Sequence, residues 1–183
     1  MLLKITAFHD LDARKLMDVY AESNADNTAY FCPGETDLAS AVKKVEEGFL
    51  EYLKNDFFRR DEAVYWVLEE DGVWVSALRT CRVGRELYYL EALETRPDRR
   101  MKGCAANLLS GVLADMKQHG AFRLCDCVGK RNAASLKTHE TCGFRIVSQD
   151  GFDYLQNETN PRCFGLEYRC PPVHSTVERG DAR

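Results

Sequence analysis

The stretch LYYLEALETRPDRRMKGCAANLL, residues 87–109, decides the fold. Its first part, 87–95, is mostly aromatic and aliphatic and predicts a strand that Pro97 brings to an end. A basic loop follows, and apolar side chains at helical spacing then predict a helix over about 100–119, with Gly120 as its stop. The stretch is therefore a strand that passes through a short loop directly into the start of a helix.

The loop has the composition of an anion site. A helix start exposes unpaired backbone N–H groups at the positive end of the helix dipole. Gly103 and Ala105 have almost no side chain, so a phosphate can approach the backbone there, and Arg99, Arg100 and Lys102 add positive charge. The pattern R-x-x-G-x-A differs from both the P-loop and the dinucleotide motif. It predicts a site for a diphosphate.

The remaining patterns predict a mixed sheet with helices on both faces. A strand–helix–strand unit over 87–128 implies a parallel, right-handed crossover, whereas the Asp71-Gly72 turn before it implies an antiparallel hairpin. Hydrophobic periodicity gives the other elements. We predict strands at 2–8, 63–69, 73–81, 87–95, 122–128, 144–148 and 163–169, helices at 11–23, 37–58, 100–119 and 132–142, and a loop over 24–35.

The composition suits one domain in a reducing compartment. The 183 residues fit a single domain over 1–170 and a polar tail over 171–183. A net charge of −4 argues against a nucleic-acid binder, and the apolar runs are too short to cross a membrane. Lys4 and Asp10 interrupt any signal-peptide core, and eight cysteines without a C-x-x-C pair indicate free thiols. We therefore expect a cytoplasmic protein with no metal, nucleic-acid or membrane partner.

A second block, NAASLKTHETCGF at residues 132–144, follows after one helix and one strand. The R-x-x-G-x-A loop and the pattern N-x-x-S-x-x-x-H-x-x-x-G-F together closely resemble motifs A and B of the GNAT superfamily of acyl-CoA-dependent N-acyltransferases. The chain departs from the family at two positions, because Met101 stands where glycine is common and His139 where tyrosine is common. The agreement in element order extends over about residues 2–170.

This resemblance implies an α+β (α/β) fold of the GNAT type, in which the mixed central sheet splays like a V between the fourth and fifth strands. Acetyl-CoA would lie in the V, with its pantetheine arm paired to the backbone of Leu93 and Thr95. Asn132 would hydrogen-bond this co-substrate, and Ser135 would line the same wall. Backbone N–H groups would hold the pyrophosphate, from Arg100, Met101, Lys102, Gly103, Cys104, Ala105 and Ala106.

Glu91 is the candidate general base. Alternation along the strand would place it on one face with Tyr89, Leu93 and Thr95, and would place Glu94 on the opposite face. No cation is close to Glu91 in sequence, so partial burial would raise its pKa and let it accept a proton through water. The alternative is a solvated or salt-bridged carboxylate without a catalytic role.

His139 is the candidate acid. The tyrosine common at this place in the family can protonate the leaving thiolate, and an imidazole can do the same. The alternative is that His139 only packs where the tyrosine would be. Candidates for contact with the acceptor are Tyr89 and Asp126 in the cleft, together with a wall from the first helix and the loop that follows it, formed by Tyr20, Tyr30 and Phe31.

These features predict acetyl transfer from acetyl-CoA to a primary amine by direct attack in a ternary complex. The acceptor would be a small molecule or a peptide, and the resemblance implies a homodimer. Two alternatives stay open. One is an enzyme of this fold with another acyl donor or an O-linked acceptor, and the other is an acyl-CoA-binding module without turnover.

Overall fold

The structure is a computed structural model that describes residues 1–172, so nearly all of the predicted polar tail lies outside the described residues. Its helices are α1 (Ala13–Val19), α2 (Ala21–Phe31), α3 (Leu38–Asn55), α4 (Cys104–Lys117) and α5 (Ala133–Thr141). Its strands are β1 (Leu2–Ile5), β2 (Val64–Glu70), β3 (Val73–Gly84), β4 (Leu87–Thr95), β5 (Phe122–Gly129), β6 (Arg145–Ser148), β7 (Gly151–Asp153), β8 (Glu158–Asn160) and β9 (Cys163–Cys170).

Seven strands form a mixed sheet in the order β1-β2-β3-β4-β5-β9-β6. Neighbouring strands are antiparallel except β4 and β5, which run parallel as the crossover predicts. The parallel pairing joins only 87–89 of β4 to 123–125 of β5. Beyond Tyr89 the two strands separate, and this is the V-shaped splay that the resemblance implies between the fourth and fifth strands.

A hydrophobic core lies on each face of the sheet. On one face, α1 and α3 cover a cluster that includes the fully buried Leu16 and Leu53. On the other face, α4 packs on Leu78 and Leu90. Within 1–172, no helix combines the length and apolarity that a membrane span requires, and no three His, Cys, Asp or Glu side chains are grouped to hold a metal ion.

Most helices begin at a side-chain cap that the sequence supplies. Asp12, Asp37 and Asn132 each accept a hydrogen bond from a backbone N–H group in the first turn of α1, α3 and α5. Gly103, which precedes α4, has a left-handed φ of +81° and no side chain to cap the helix. The start of α4 therefore has no side chain of its own to satisfy its first donors.

Several bounds differ by a few residues from the sequence prediction, with β1 ending at Ile5 and α4 beginning at Cys104, and two segments differ in kind. The predicted loop over 24–35 is largely α2, which follows α1 after a break at Tyr20. Only Asn24 of α2 is buried, so this helix has no apolar stripe that a sequence pattern could reveal. β7 and β8 form a separate hairpin that was not predicted, because strands of three residues are too short to show a period.

Candidate active site

The start of α4 presents a row of free backbone donors. Within the described chain, none of the N–H groups of 101–106 donates to another residue, and the next one, of Asn107, donates to the Gly103 carbonyl at 2.9 Å. A Cβ atom at Gly103 would meet no atom within 4 Å, so the row opens to solvent. Successive N–H groups at the positive end of a helix suit a diphosphate.

Arg100 does not belong to this row. Its N–H group donates to the Pro97 carbonyl at 3.4 Å. Its guanidinium forms ion pairs with Glu22 of α2 and, at 3.2 Å, with Glu94 of β4. The prediction that the Arg100 N–H group holds pyrophosphate is therefore corrected, because this residue already ties α2 to β4, and the cradle consists of 101–106.

β4 offers a free edge beside the cradle. The N–H group of Arg96 donates to the Val75 carbonyl at 3.0 Å, so the backbone of Arg96, and by alternation that of Glu94, faces β3. The backbone groups of Leu93 and Thr95 must then face the opposite edge, where β5 has moved away and where the Thr95 carbonyl accepts a hydrogen bond from Nε of Arg100 at 3.3 Å. These are the two residues whose backbone is expected to pair with an extended ligand arm.

A β-bulge changes the face that the β4 side chains occupy. The register with β3 shifts by one residue at Ala92, whose φ is +56°. Leu93 consequently packs in the core under α4, whereas Glu91 reaches Tyr52 of α3 on the opposite face. The prediction that Glu91 shares a face with Leu93 and Thr95 is wrong, because simple alternation assumes an unbroken strand.

Glu91 is held by a cation from the neighbouring strand. Its Oε1 accepts a hydrogen bond from Nε of Arg79 at 2.6 Å and lies 3.4 Å from the Tyr52 hydroxyl. Among residues 1–172, no hydrogen bond is made to its Oε2. Glu91 is therefore salt-bridged, as in the alternative interpretation, because Arg79 lies close to it in space although no cation lies near it in sequence. One oxygen is anchored while the other is free, as a proton acceptor of fixed orientation requires.

Arg79 was not among the predicted site residues. Its guanidinium is almost buried and lies over the rings of Phe49, Tyr52 and Phe57. Counting residue pairs back from the turn after Gly84 places Arg79 opposite a residue next to Glu91. A one-residue register shift near that turn brings Arg79 opposite Glu91 itself.

Glu94 is a second carboxylate that the alternation prediction misplaced. The bulge puts it on the same face as Glu91, where it pairs with Arg100. Partial burial raises the pKa of Glu94, although Arg100 opposes the change. A carboxylate with a raised pKa beside the splay can accept a proton, so Glu94 becomes the comparison residue for Glu91.

Tyr89 lies at the apex of the V. It is the last residue of β4 that pairs with β5, and it is only 4% exposed. Its ring packs against Tyr154, with 5.5 Å between ring centroids. Burial raises the pKa of Tyr89, and the nearby carboxylates of Asp126 and Asp153 raise it further. The hydroxyl therefore stays protonated and can act as a donor.

Asp126 and His139 form a buried pair between β5 and α5. Nε2 of His139 lies 2.9 Å from Oδ2 of Asp126. The contact has the distance of an ion pair but not the geometry of a hydrogen bond. Nδ1 faces the Ser135 carbonyl at 2.8 Å, and the ring packs edge-on against Phe144. His139 is fully buried. Both ring nitrogens therefore face acceptors, an arrangement that favours the protonated imidazole.

This geometry favours packing over acid catalysis for His139. Burial alone lowers the pKa of His139, but the Asp126 carboxylate and the Ser135 carbonyl outweigh it, so the pKa lies above its ordinary value. Both protons are engaged in contacts within the fold. The same contacts occupy Asp126, the expected acceptor-binding residue, whose Oδ1 accepts the N–H group of Cys127.

The other residues predicted to contact the ligand or the acceptor lie in different surroundings. Oδ1 of Asn132 caps α5 by accepting the N–H group of Ser135 at 3.0 Å, which leaves only its amide NH₂ for a ligand. Tyr30 lies at the end of α2, not in a loop, and is 81% exposed. Tyr20 reaches the site instead, because its hydroxyl donates to the Ala92 carbonyl at 2.6 Å.

Comparison with known proteins identifies the family of this chain. The family described as "Acetyltransferase (GNAT) family" matches residues 17–144. No curated protein sequence is matched by this chain. Among solved structures, PaiA N-acetyltransferase from Thermoplasma acidophilum, crystallised with coenzyme A, is 17% identical with a TM-score of 0.61, over 93% of this chain and 99% of its own.

Two further structures show the same fold. Ribosomal-protein-alanine N-acetyltransferase from Brucella melitensis is 16% identical with a TM-score of 0.60, over 93% of this chain and 99% of its own. A spermidine N-acetyltransferase SpeG chimera from Vibrio cholerae and hSSAT is 13% identical with a TM-score of 0.58, over 92% of this chain and 95% of its own. At such identities the likeness establishes the fold alone. With the family match over more than half of its length, the chain belongs to the acetyltransferase (GNAT) family.

Proposed function

We propose that this chain transfers an acetyl group from acetyl-CoA to a primary amine by direct attack in a ternary complex. The observation that carries the proposal is the row of free N–H groups at 101–106 beside the open edge of β4. A diphosphate fits the row, and an extended amide-containing arm fits the edge as an added strand would. The coenzyme A complex of the similar Thermoplasma enzyme supports the same ligand class.

The reaction transfers an acyl group and shifts one proton. Bound acetyl-CoA would supply the activated acetyl group. When the amine nitrogen attacks, an N–C bond forms, the C–S bond breaks, and overall one proton moves from nitrogen to sulfur. A primary amine has a pKa near 10, so it must first lose its ammonium proton at neutral pH. Oε2 of Glu91 is the group we assign to that step, through a water molecule.

An acid is less necessary than a base in this reaction. A thiol has a pKa near 8.5, so the thiolate is a good leaving group without much help. We therefore assign His139 the task of fixing α5 to β5 through Asp126, which keeps Asn132 and Ser135 in place at the mouth of the V. Tyr89, at the apex, is the hydroxyl that we assign to contact with the reacting groups.

The acceptor assignment rests on the similar structures and on the charges near Tyr89. Names of two similar structures give a ribosomal protein and spermidine as acceptors, and both supply amines. The carboxylates of Asp153 and Glu91 lie close enough to Tyr89 to raise its pKa, and carboxylates in that place suit a cationic substrate. The cytoplasmic location, the single domain over 1–170 and the homodimer stay predictions.

The test is an assay of free CoA thiol release with a panel of amines and matched alcohols. Polyamines, amino acids, peptides with a free N-terminus and lysine-containing peptides make up the amine panel. We expect release with at least one amine and with none of the alcohols, and faster release from acetyl-CoA than from longer acyl-CoAs. Binding of acetyl-CoA in calorimetry without thiol release from any amine would overturn the proposal in favour of a binding module.

A further inference from the structure

The bulge in β4 leaves one backbone carbonyl without its ladder partner. Ala92 and Leu93 have no register partners on β3, although Glu91 and Glu94 on either side of them do. The carbonyl of Ala92 nevertheless has a donor, because the hydroxyl of Tyr20 lies 2.6 Å from it. Tyr20 is 6% exposed and comes from the break between α1 and α2. The Tyr20 hydroxyl thus takes the place of the β3 backbone donor that the bulge removes.

The same contact fixes the direction of the next N–H group. In a trans peptide, the carbonyl of Ala92 and the N–H group of Leu93 point in opposite directions. The described chain has no cis peptide bonds. Because alternation from Arg96 directs the Leu93 N–H group into the splay, the Ala92 carbonyl must point away from the splay, toward Tyr20. Holding the carbonyl therefore holds the N–H group.

We infer that Tyr20 is a positioning residue that keeps the N–H group of Leu93 aimed at the acyl carbonyl oxygen in the splay. The inference rests on the proposed function, in which negative charge develops on that oxygen as the amine attacks. A fixed donor stabilises such charge better than a mobile one because it needs no reorganisation during the reaction. With a left-handed φ at Ala92, the bulged peptide is in a sparsely populated conformation and benefits from an external restraint.

The test compares Tyr20→Phe with Tyr65→Phe. Tyr65 is the matched control, since it is fully buried in the same core and its hydroxyl lies close to that of Tyr20 but makes no hydrogen bond to a backbone carbonyl in the described chain. In the unliganded protein, Tyr20→Phe should move the carbonyl carbon shift of Ala92 and the amide shift of Leu93, whereas Tyr65→Phe should leave both in place. With acetyl-CoA bound, the infrared carbonyl frequency of its labelled acetyl group should rise in Tyr20→Phe only.

Steady-state kinetics provide a third measurement of the role of Tyr20. We expect kcat to fall about 10-fold in Tyr20→Phe with little change in KM for acetyl-CoA, less than the roughly 100-fold loss seen when an oxyanion donor is deleted outright. Fluorotyrosine at position 20 keeps the hydroxyl and should restore the wild-type readings, which separates hydrogen bonding from a packing or folding defect.

The possible failures can be told apart. An unchanged acetyl carbonyl frequency in Tyr20→Phe, in a protein that still turns over, overturns the role of Tyr20 and leaves the proposed function intact. A shifted frequency in a protein that acetylates no amine supports the role of Tyr20 and overturns the proposed function instead. Equal effects of Tyr20→Phe and Tyr65→Phe would reduce Tyr20 to a structural residue.

Discussion

The two carboxylate oxygens of Glu91 have different surroundings, and this difference makes its role testable. Glu91→Gln keeps an acceptor for Nε of Arg79 but removes the basic Oε2. We expect kcat/KM for the amine to fall about 100-fold at neutral pH, at the lower end of general-base effects. The loss should shrink at high pH, where the amine is already neutral. Steady-state rates across the pH range measure both effects, and CoA affinity should stay unchanged.

Glu94→Gln is the matched control for this experiment. It removes a carboxylate from the same strand and the same face, yet Glu94 pairs with Arg100 and lies on the far side of the bulge from Glu91. We expect a smaller loss than for Glu91→Gln. A larger loss would assign the proton-accepting role to Glu94, because burial raises the pKa of this carboxylate.

The ion pair of His139 and Asp126 predicts how stability depends on pH. Because the pKa of His139 is raised in the folded state, the pair stabilises the fold fully below the unfolded value of about 6.5. That stabilisation is lost as the pH rises through the folded-state pKa. We expect Asp126→Asn to lower the free energy of unfolding by about 3 kcal/mol at pH ~6, with a smaller difference at alkaline pH. Urea unfolding at several pH values measures it.

An exposed histidine provides the comparison. The side chain of His9 is 83% exposed, so His9→Gln should leave the pH dependence of stability as it is in the wild type. If Asp126→Asn costs the same stability at every pH, the buried imidazole is not protonated in the folded protein. In that case the two groups share a neutral contact instead of an ion pair.

At the scale of elements, the start of α4 should determine CoA affinity. Gly103→Ala introduces a Cβ atom that meets nothing but strains a left-handed φ of +81°, at about 1 kcal/mol of stability. Gly103→Glu adds the same strain plus bulk and negative charge at the cradle. We expect Gly103→Ala to weaken CoA binding less than 10-fold and Gly103→Glu to abolish it, as measured by calorimetry. Equal losses would mean that strain, not access, controls binding.

The elements also show where prediction from sequence succeeds and where it stops. Strand β4, helix α4 and the cradle between them could be predicted, because a Pro, a Gly and a helical apolar stripe mark their limits within one short stretch. The bulge could not, since an alanine at position 92 has no preference for a positive φ and the Tyr20 hydroxyl that bonds its carbonyl is distant in sequence. Arg79 could be found only by counting the cross-strand register of the hairpin, because its proximity to Glu91 is not local in sequence.

At the scale of the whole molecule, the splay leaves only a short strand pairing between two parts of the sheet. Strands β1 to β4 join β5, β9 and β6 through the short pairing of 87–89 with 123–125, while α4 packs across β2, β3 and β4. The open edge of β4 and the free donors at 101–106 lie at this junction. A ligand in the V would therefore bond to both the strand and the helix start, and so act as the missing neighbour of β4.

This arrangement predicts a local pattern of amide exchange on ligand binding. Without ligand, the N–H groups of 101–106, Leu93 and Thr95 lack strand or helix partners and should exchange fast, whereas those of the paired β1 and β2 should exchange slowly. CoA at 100 times its Kd should stabilise the native state by about 2.7 kcal/mol and raise Tm. In hydrogen-exchange mass spectrometry, slowing should be largest at 90–106, because new hydrogen bonds form there and not merely because the whole fold is more stable. Slowing confined to β1 and β2, or a rise in Tm with no added protection at 101–106, would place the ligand elsewhere on the molecule.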